Sequence, residues 1–273
     1  STSGMSLAQS LGHDVVRTIP SLFSFRLEAG NNDKKRRQMN STEGATDNPF
    51  HNLQGIHFDD VIISFAGKSA RGPMHTTQSG VAGPVVLHLS SLAAKDMAAC
   101  GHRGDLRVNL MPHFQFDEVR RALREHAKAS GPAAVLTGMR KTKVPFPPLF
   151  KGHMSRKLWR SLVVRTAAAP KVDAQKILWR DLTEAHEVSL ARALTGGLVL
   201  PLNGYDESSH EAGGVDLSQV NPMTMESLTQ PGLFFGGSVL NMDGVSRSHN
   251  FQVSWSTGYA AGKGMAMRLR YDI

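Results

Sequence analysis

Residues 231–262 constrain the fold of this chain more than any other part of the sequence. They combine a short apolar strand, a glycine pair, an acidic bend at Asp243-Gly244 and a helix rich in small residues. The glycines let a ligand or another backbone approach closely. We expect the helix to begin near Asn250 and to direct its first N–H groups at a negatively charged group above the bend. The segment therefore predicts a strand–turn–helix unit that lines a binding site.

The remainder of the chain divides into regions of different composition. Gly12 ends a short amphipathic helix, and alternating apolar residues then predict a mainly β region. Residues 30–52 contain almost no apolar side chain, so they predict a disordered loop. Apolar residues at helical spacing follow from Phe116. The predicted organisation has four parts, which are an opening segment at 1–14, a β-rich unit at 15–111, a helical unit at 112–197 and a C-terminal segment at 198–273.

Several motifs in chain order resemble those of a known flavoprotein family. The segment that begins at Pro231 resembles the C-terminal FAD motif of oxidoreductases described as aminoacetone-oxidase-like or bile-acid-reductase-like. Ser3-Gly4 and Leu11-Gly12-His13 resemble the junction at which the first FAD segment of that family is followed by an inserted domain. Further family motifs are matched at 72–84, 109–112, 212–215 and 223–227. The chain is thus identified as a member of this FAD-dependent family over nearly its whole length.

The resemblance implies an α/β fold in which an incomplete Rossmann-like FAD domain is interrupted by the β-rich and helical inserted units. It also implies a two-electron oxidoreductase, in which the flavin carries the hydride chemistry and the protein orients it. The glycine pair and the acidic bend would face the ribityl and phosphate part of FAD, and the helix start would face the pyrimidine edge of the ring. The implied cofactor-binding residues are Gly236, Gly237, Asp243, Gly244, Ser248, His249, Asn250, Phe251 and Gln252. The implied substrate-side residues are Gln78, Gly80 and Gly83.

One element that such a domain requires does not occur in the sequence. A dinucleotide-binding domain carries Gly-x-Gly-x-x-Gly after its first strand, and the family carries this motif upstream of the position that matches Ser1. We therefore expect a fragment that retains FAD weakly or not at all by itself, with the missing N-terminal FAD segment as its partner. Polar motif positions also differ, since Gln78 replaces His and Ser238 replaces Glu. The catalytic residues therefore stay unknown.

Charge and residue usage bear on other functions. The formal net charge is +8, but the basic residues are scattered without a recognition-helix pattern, so nucleic-acid binding is not favoured. Twelve histidines occur without metal-ligand spacing, so no metal site is expected. Cys100 is the single cysteine, which excludes an internal disulfide and favours an intracellular location. No apolar run approaches the roughly 20 residues of a membrane helix.

The sequence therefore predicts the C-terminal portion of an FAD-binding oxidoreductase that acts on an unidentified small molecule. Two alternatives stay open, which are a truncated or degenerate noncatalytic member of the family and a basic RNA-associated protein. The substrate, the electron donor or acceptor, the oligomeric state and the organelle are not determined. The resemblance places Trp255 near the flavin wall.

Overall fold

A computed structural model of the chain describes residues 2–28, 48–51, 53–130, 146–167, 179, 182–206 and 210–270. The helices and strands are, in chain order, α1 (Thr2–Ser10), β1 (Val15–Ser21), β2 (Phe25–Leu27), β3 (His57–Phe65), β4 (Lys68–Thr76), β5 (Gly80–Ala82), α2 (Pro84–Leu92), α3 (Ala94–Ala99), β6 (Arg103–Asn109), α4 (Phe116–Ser130), α5 (Arg156–Ala167), α6 (Glu184–Leu194), β7 (Thr195–Tyr205), β8 (His210–Val215) and α7 (Arg247–Arg270).

The chain divides into two compact units, and the boundary is crossed several times. The first unit consists of Ser1–Phe23, Ser90–Ala99 and Glu207–Ile273. The second consists of Ser24–Leu89 and Cys100–Asp206. One of the crossings falls within helix α2.

The second unit is built on a closed barrel with the strand order β2-β5-β4-β3-β6-β7. Each strand pairs antiparallel with a neighbour on both sides. Strand β3 shows why these residues form a barrel wall, because Val61, Ile63 and Phe65 are buried and alternate with outward-facing residues. A register shift between Phe58 and Val61 bends the strand near its start. Side chains from the strands fill the barrel interior, as in other small barrels.

Helices α4, α5 and α6 complete the second unit. Helix α6 packs against α4, α5 and strand β7. Its N-terminus is fixed by a capping box, in which Thr183 accepts a hydrogen bond from the His186 N–H and His186 accepts one from the Thr183 N–H. The indole rings of Trp159 and Trp179 stack at 6.0 Å in the interior of this unit. Aromatic packing therefore holds the helices together.

The first unit joins chain segments that are distant in the sequence. Strand β1 pairs antiparallel with β8, which brings residues 15–21 and 210–215 together. Helices α1 and α3 pack on β1, and α7 packs beside the short 3₁₀ turn Gly237–Val239. The small core of the unit contains the buried residues Ala8, Val215, Val220, Phe235 and Leu240.

The structure places several elements differently from the sequence-based expectations. Strand β1 lies in the first unit, although the β-rich unit was expected to begin at residue 15. Residues 198–205 belong to strand β7 of the barrel, although they were expected in the C-terminal segment. The predicted loop at 30–52 falls mainly outside the described residues. Its described part is packed, since Phe50 is 3% exposed, so the prediction of a loop without core contacts is wrong there.

Candidate cofactor site

The glycine pair lies where the 3₁₀ turn meets helix α7. A Cβ atom added to Gly236 would approach the Cα of Gly258 at 3.3 Å, so the two backbones are nearly in contact. Gly237 has a φ of +73°, which glycine adopts without strain. Its N–H donates to the Thr257 hydroxyl at 2.9 Å. The pair therefore fixes the turn against the helix, while the Gly236 backbone stays exposed on its other side.

The acidic bend is held by hydrogen bonds within the first unit. One Asp243 carboxylate oxygen accepts from the Ser21 hydroxyl at 2.6 Å, and the other accepts from the Asn250 side-chain amide at 3.3 Å. The Asn250 side-chain oxygen in turn accepts the Gly244 N–H at 2.6 Å. His210 approaches the same carboxylate at 3.6 Å. The Asp243 side chain is only 14% exposed, although the residue as a whole is exposed. The main role of this side chain is therefore to order the bend.

The N-terminal turn of α7 lies directly beyond this bend. The Ser246 hydroxyl accepts the His249 N–H at 3.2 Å, which caps the helix. The helix begins at Arg247, three residues earlier than the sequence indicated. The side chain of His249 packs over Gly244, where an added Cβ would lie 2.3 Å from the imidazole. The exposed residues of this turn are Arg247, Ser248, His249, Phe251 and Gln252.

Helix α7 has one packed face and one exposed face. The packed stripe consists of Asn250, Thr257, Ala261 and Gly264. The opposite face presents Phe251, Trp255 and Tyr259, which are 60%, 68% and 75% exposed and recur every four residues. Added Cβ atoms at Gly258 and Gly262 would meet nothing within 4 Å. Trp255 therefore lies on an open aromatic face, stacked at 6.2 Å on Phe251.

Two supports of the site were not identified as site residues from the sequence. Gly214 has a φ of +132°, and a Cβ there would lie 2.5 Å from the Val239 carbonyl oxygen, so glycine permits β8 to approach the chain before the bend. His13 is buried and its Nε2 lies 2.7 Å from the Ser227 hydroxyl. His13 Nδ1 lies 3.2 Å from the Ala8 carbonyl oxygen, which can only accept, so Nε2 is the acceptor for the hydroxyl groups of Ser227 and Thr229 beside it. The resemblance of Leu11-Gly12-His13 to a family motif was the signal in the sequence that could have identified His13.

The substrate-side residues lie in the second unit and have separate roles there. Gln78 and Gly80 line a cavity of about 280 Å³ together with Arg26, Thr77 and Ser79. A Cβ at Gly80 would lie 2.1 Å from the Phe25 carbonyl oxygen, so glycine is required for the pairing of β5 with β2. Gly83 does not line this cavity. Its φ of +122° and its contact with β4 explain the glycine.

Other candidate chemistry finds little support among the described residues. They contain no group of three histidine, cysteine or acidic side chains that could hold a metal ion. No helix in the described part of the chain is long and apolar enough to cross a membrane. Cys100 is exposed.

The hydrogen bond from Arg71 holds the pKa of the Asp60 carboxyl below its ordinary value, and burial lowers the pKa of His126.

The sequence of the chain matches a protein family over residues 1–264, described as the HI0933-like protein Rossmann domain. The chain belongs to the HI0933-like Rossmann-domain family. A relative from Clostridium scindens, named 3-dehydro-bile acid delta(4,6)-reductase, is 27% identical over 97% of this chain and 58% of its own length. Ribosomal RNA dihydrouridine synthases from Escherichia coli and Haemophilus influenzae are each 26% identical over 76% of this chain and 46% of their own lengths.

Membership confirms the resemblance to FAD-dependent oxidoreductases that the motifs indicated. The chain spans about half the length of the curated relatives that it matches. Its described sheets are the barrel and the two-stranded β1–β8 sheet. The fold is therefore a mixed α/β fold with a β-barrel, within a family named for its Rossmann domain.

The first unit fits one side of a flavin site. The Gly236 backbone is exposed, the ordered bend leads into a helix N-terminus, and the helix face beyond it is open at Gly258 and Gly262. A helix N-terminus favours a negatively charged group. These features leave the Gly236 backbone and the Gly258–Gly262 face of α7 open to a bound group or to a second protein layer.

Proposed function

We propose that this chain supplies the C-terminal wall of the FAD site in a two-electron oxidoreductase and that an N-terminal FAD segment supplies the other wall. The open aromatic face of α7 carries the proposal. Large side chains such as Trp255 and Tyr259 bury 150–250 Å² each when they are covered, so exposing both along one helix indicates a missing layer. The family match supports FAD as the group that this layer completes.

The residues of the site divide into those that would contact the cofactor and those that position them. The backbone of Gly236 and Gly237 would face the ribityl and phosphate part of FAD, while the Asp243 carboxylate holds the bend through Ser21 and Asn250. Residues 248–252 would contribute backbone N–H groups near the pyrimidine edge of the flavin. Such donors stabilise negative charge on a reduced ring. When bound, the flavin supplies the hydride chemistry.

The proposed substrate is a small molecule whose identity is open. Gln78 and the cavity beside Gly80 are the proposed substrate-side surface. The name of the Clostridium scindens relative supports a reduction as the direction of electron transfer. A noncatalytic member of the family would share the fold of this chain without retaining the flavin.

Flavin retention tests the proposal directly. We would express residues 1–273 alone and a longer version that includes the coding sequence upstream of Ser1, add FAD to both, and measure flavin absorbance after gel filtration. We expect stoichiometric flavin with the longer protein and weak or no retention with the shorter one. Retention by neither version would contradict the proposal and favour the noncatalytic alternative.

Paired substitutions test the role of the open helix face. We expect Trp255→Ala combined with Tyr259→Ala to leave the fold of residues 1–273 intact, because both side chains are exposed there. In the longer protein the same pair should lower flavin retention and the unfolding temperature. Met223→Ala is the matched control, since this side chain is 82% exposed on a loop of the same unit. Equal effects of the control and the aromatic pair would argue against a layer on α7.

A further inference from the structure

The cavity of about 280 Å³ beside Gly80 is lined by residues from separate parts of the second unit. They come from strands β2, β5 and β7, from the turn between β4 and β5, and from residues 48–51. We call it the Gln78 cavity, and its polar lining residues include Arg26, His51, Thr77, Gln78, Ser79 and Asn203. The barrel therefore brings together polar groups that are distant in the sequence.

The wall of this cavity carries a balanced charge. Among the described residues that line it, Arg26 is the one with a formal charge, and its guanidinium pairs with the Asp206 carboxylate at 3.0 Å. The other carboxylate oxygen of Asp206 accepts the Ser79 hydroxyl at 2.8 Å. A charged ligand loses hydration energy when it enters a cavity, and an unpaired charge of opposite sign is needed to offset this loss. The wall therefore favours an uncharged ligand.

Three polar side chains of the wall have unused hydrogen-bonding groups. Within the described ranges of the chain, the amides of Gln78 and Asn203 and the imidazole of His51 make no side-chain hydrogen bond. An amide side chain offers a carbonyl acceptor and two N–H donors, and a neutral imidazole offers one donor and one acceptor. A hydroxyl group is likewise both a donor and an acceptor. A molecule with several hydroxyl groups therefore matches these side chains.

Hydrogen bonds within the wall fix the backbone that carries these groups. The turn that contains Gln78 is closed in both directions, since the Gly80 N–H donates to the Thr77 hydroxyl at 2.9 Å and the Thr77 N–H donates to the Gly80 carbonyl at 2.8 Å. Before His51, the Asn48 side-chain oxygen accepts the Phe50 N–H at 2.9 Å. An ordered wall loses less conformational freedom when a ligand binds.

Size and polarity limit the ligand further. The cavity volume equals that of about nine water molecules at ~30 Å³ each, whereas pockets for drug-sized ligands span about 300–1,000 Å³. The large apolar lining residues, Leu27 and Phe50, are 4% and 3% exposed, so they offer little surface to an apolar ring system. The cavity therefore suits a polar molecule of about a dozen non-hydrogen atoms better than a fused hydrocarbon skeleton.

We propose that the Gln78 cavity binds an uncharged molecule that is rich in hydroxyl and carbonyl groups and has the size of one sugar ring, and that this is the substrate class of the oxidoreductase. Its polar groups would exchange hydrogen bonds with Gln78, Asn203 and His51. The assignment as substrate rests on the proposed function. Binding itself does not, because the cavity lies within the second unit and the proposed flavin wall lies in the first.

Saturation-transfer NMR on residues 1–273 without FAD tests the preference for an uncharged ligand. The probes are D-glucose, D-glucuronate and D-glucosamine, which share one ring and differ in charge. We expect D-glucose to bind about 5-fold or more tightly than either charged probe, which equals one net hydrogen bond. Asp206→Asn removes the carboxylate partner of Arg26 and should shift the preference towards D-glucuronate. Equal binding of the three probes, or no such shift, would overturn the proposal.

A double variant tests the unused amides. Gln78→Ala combined with Asn203→Ala should weaken D-glucose binding about 25-fold, since each lost hydrogen bond weakens it about 5-fold. The matched control is Gln54→Ala with Gln115→Ala, which removes two exposed amides of the same unit that do not line the cavity. Circular dichroism would verify that each variant is folded. Equal losses in the two double variants would contradict the proposal, as would no transfer to D-glucose from the folded wild type.

The outcome is separate from that of the flavin experiment. If the longer protein retains FAD and residues 1–273 do not bind D-glucose, the substrate class is wrong and the proposed function stands. If D-glucose binds and neither version retains FAD, the cavity is a binding site and the proposed function is wrong.

Discussion

Truncation of Asn250 should destabilise the first unit out of proportion to the size of the side chain. Asn250 is 8% exposed, accepts the Gly244 N–H at 2.6 Å and donates to Asp243 at 3.3 Å. In Asn250→Ala the buried Gly244 N–H loses its acceptor, which costs about 1–3 kcal/mol. The longer bond to the carboxylate adds about 1 kcal/mol, because Ser21 still donates to Asp243. We therefore expect the free energy of unfolding to fall by about 2–4 kcal/mol.

Urea unfolding, combined with hydrogen exchange of residues 243–250, measures this effect. The matched control is Gln252→Ala, which truncates an exposed amide that bonds to Ser256 within its own helix. It should change the unfolding free energy by less than about 0.5 kcal/mol. If Asn250→Ala stays within that limit and exchange at Gly244 is not faster, the Asn250 bonds do not order the bend and the reasoning fails.

Three further predictions follow from other contacts. Gly214→Ala should lower the free energy of unfolding by about 3 kcal/mol or more, because a φ of +132° and a carbonyl oxygen 2.5 Å from the new Cβ leave no room for the side chain. Gly262→Ala, on the open face of α7, should leave the stability of residues 1–273 unchanged or raise it slightly. Thermal unfolding of both variants would show whether this ranking holds. Because the pKa of Asp60 is lowered in the folded protein, its pairing with Arg71 stabilises the fold above the ordinary pKa of 3.8, and this stabilisation is lost as the pH falls through the lower folded value. Asp60→Asn should therefore lower the free energy of unfolding by less than about 1 kcal/mol at neutral pH. Urea unfolding at decreasing pH should show the difference between variant and wild type shrinking rather than growing. Burial beside Trp179 lowers the pKa of His126, so the unfolded chain takes up a proton more readily than the folded one. The stability of the protein should therefore fall as the pH drops below about 6.5. Unfolding of His126→Gln over the same pH range should show a shallower decline than the wild type, and parallel curves would refute this assignment.

Local sequence patterns predicted much of the architecture around the candidate site. The apolar strand, the glycine pair and the small-residue helix all lie in the first unit, and the helix was displaced by only three residues at its start. These features are local, because glycine conformations and helical periodicity depend on neighbours in the chain. The sequence also indicated an anion-favouring helix N-terminus at the bend.

The partners of the site residues were not predictable in the same way. Ser21 and Asp243 lie 222 positions apart, and His13 and Ser227 lie 214 apart, yet each pair forms a hydrogen bond. A serine or histidine has no sequence pattern that announces such a distant partner. The assignment of strand β1 to the β-rich unit differed from the structure for the same reason, since its partner β8 lies near the other end of the chain.

The sequence alone therefore determined the family, the local form of the flavin-side segment and the total charge of +8. Only the tertiary structure decided that the exposed large hydrophobic side chains of the described residues lie in the first unit, and that the Asp243 carboxylate is bonded to Ser21 and Ser91, which are 222 and 152 positions away in the sequence. The physical reason is that exposure and hydrogen bonding depend on distances in space. Those distances are set when antiparallel pairing closes the barrel and joins β1 to β8.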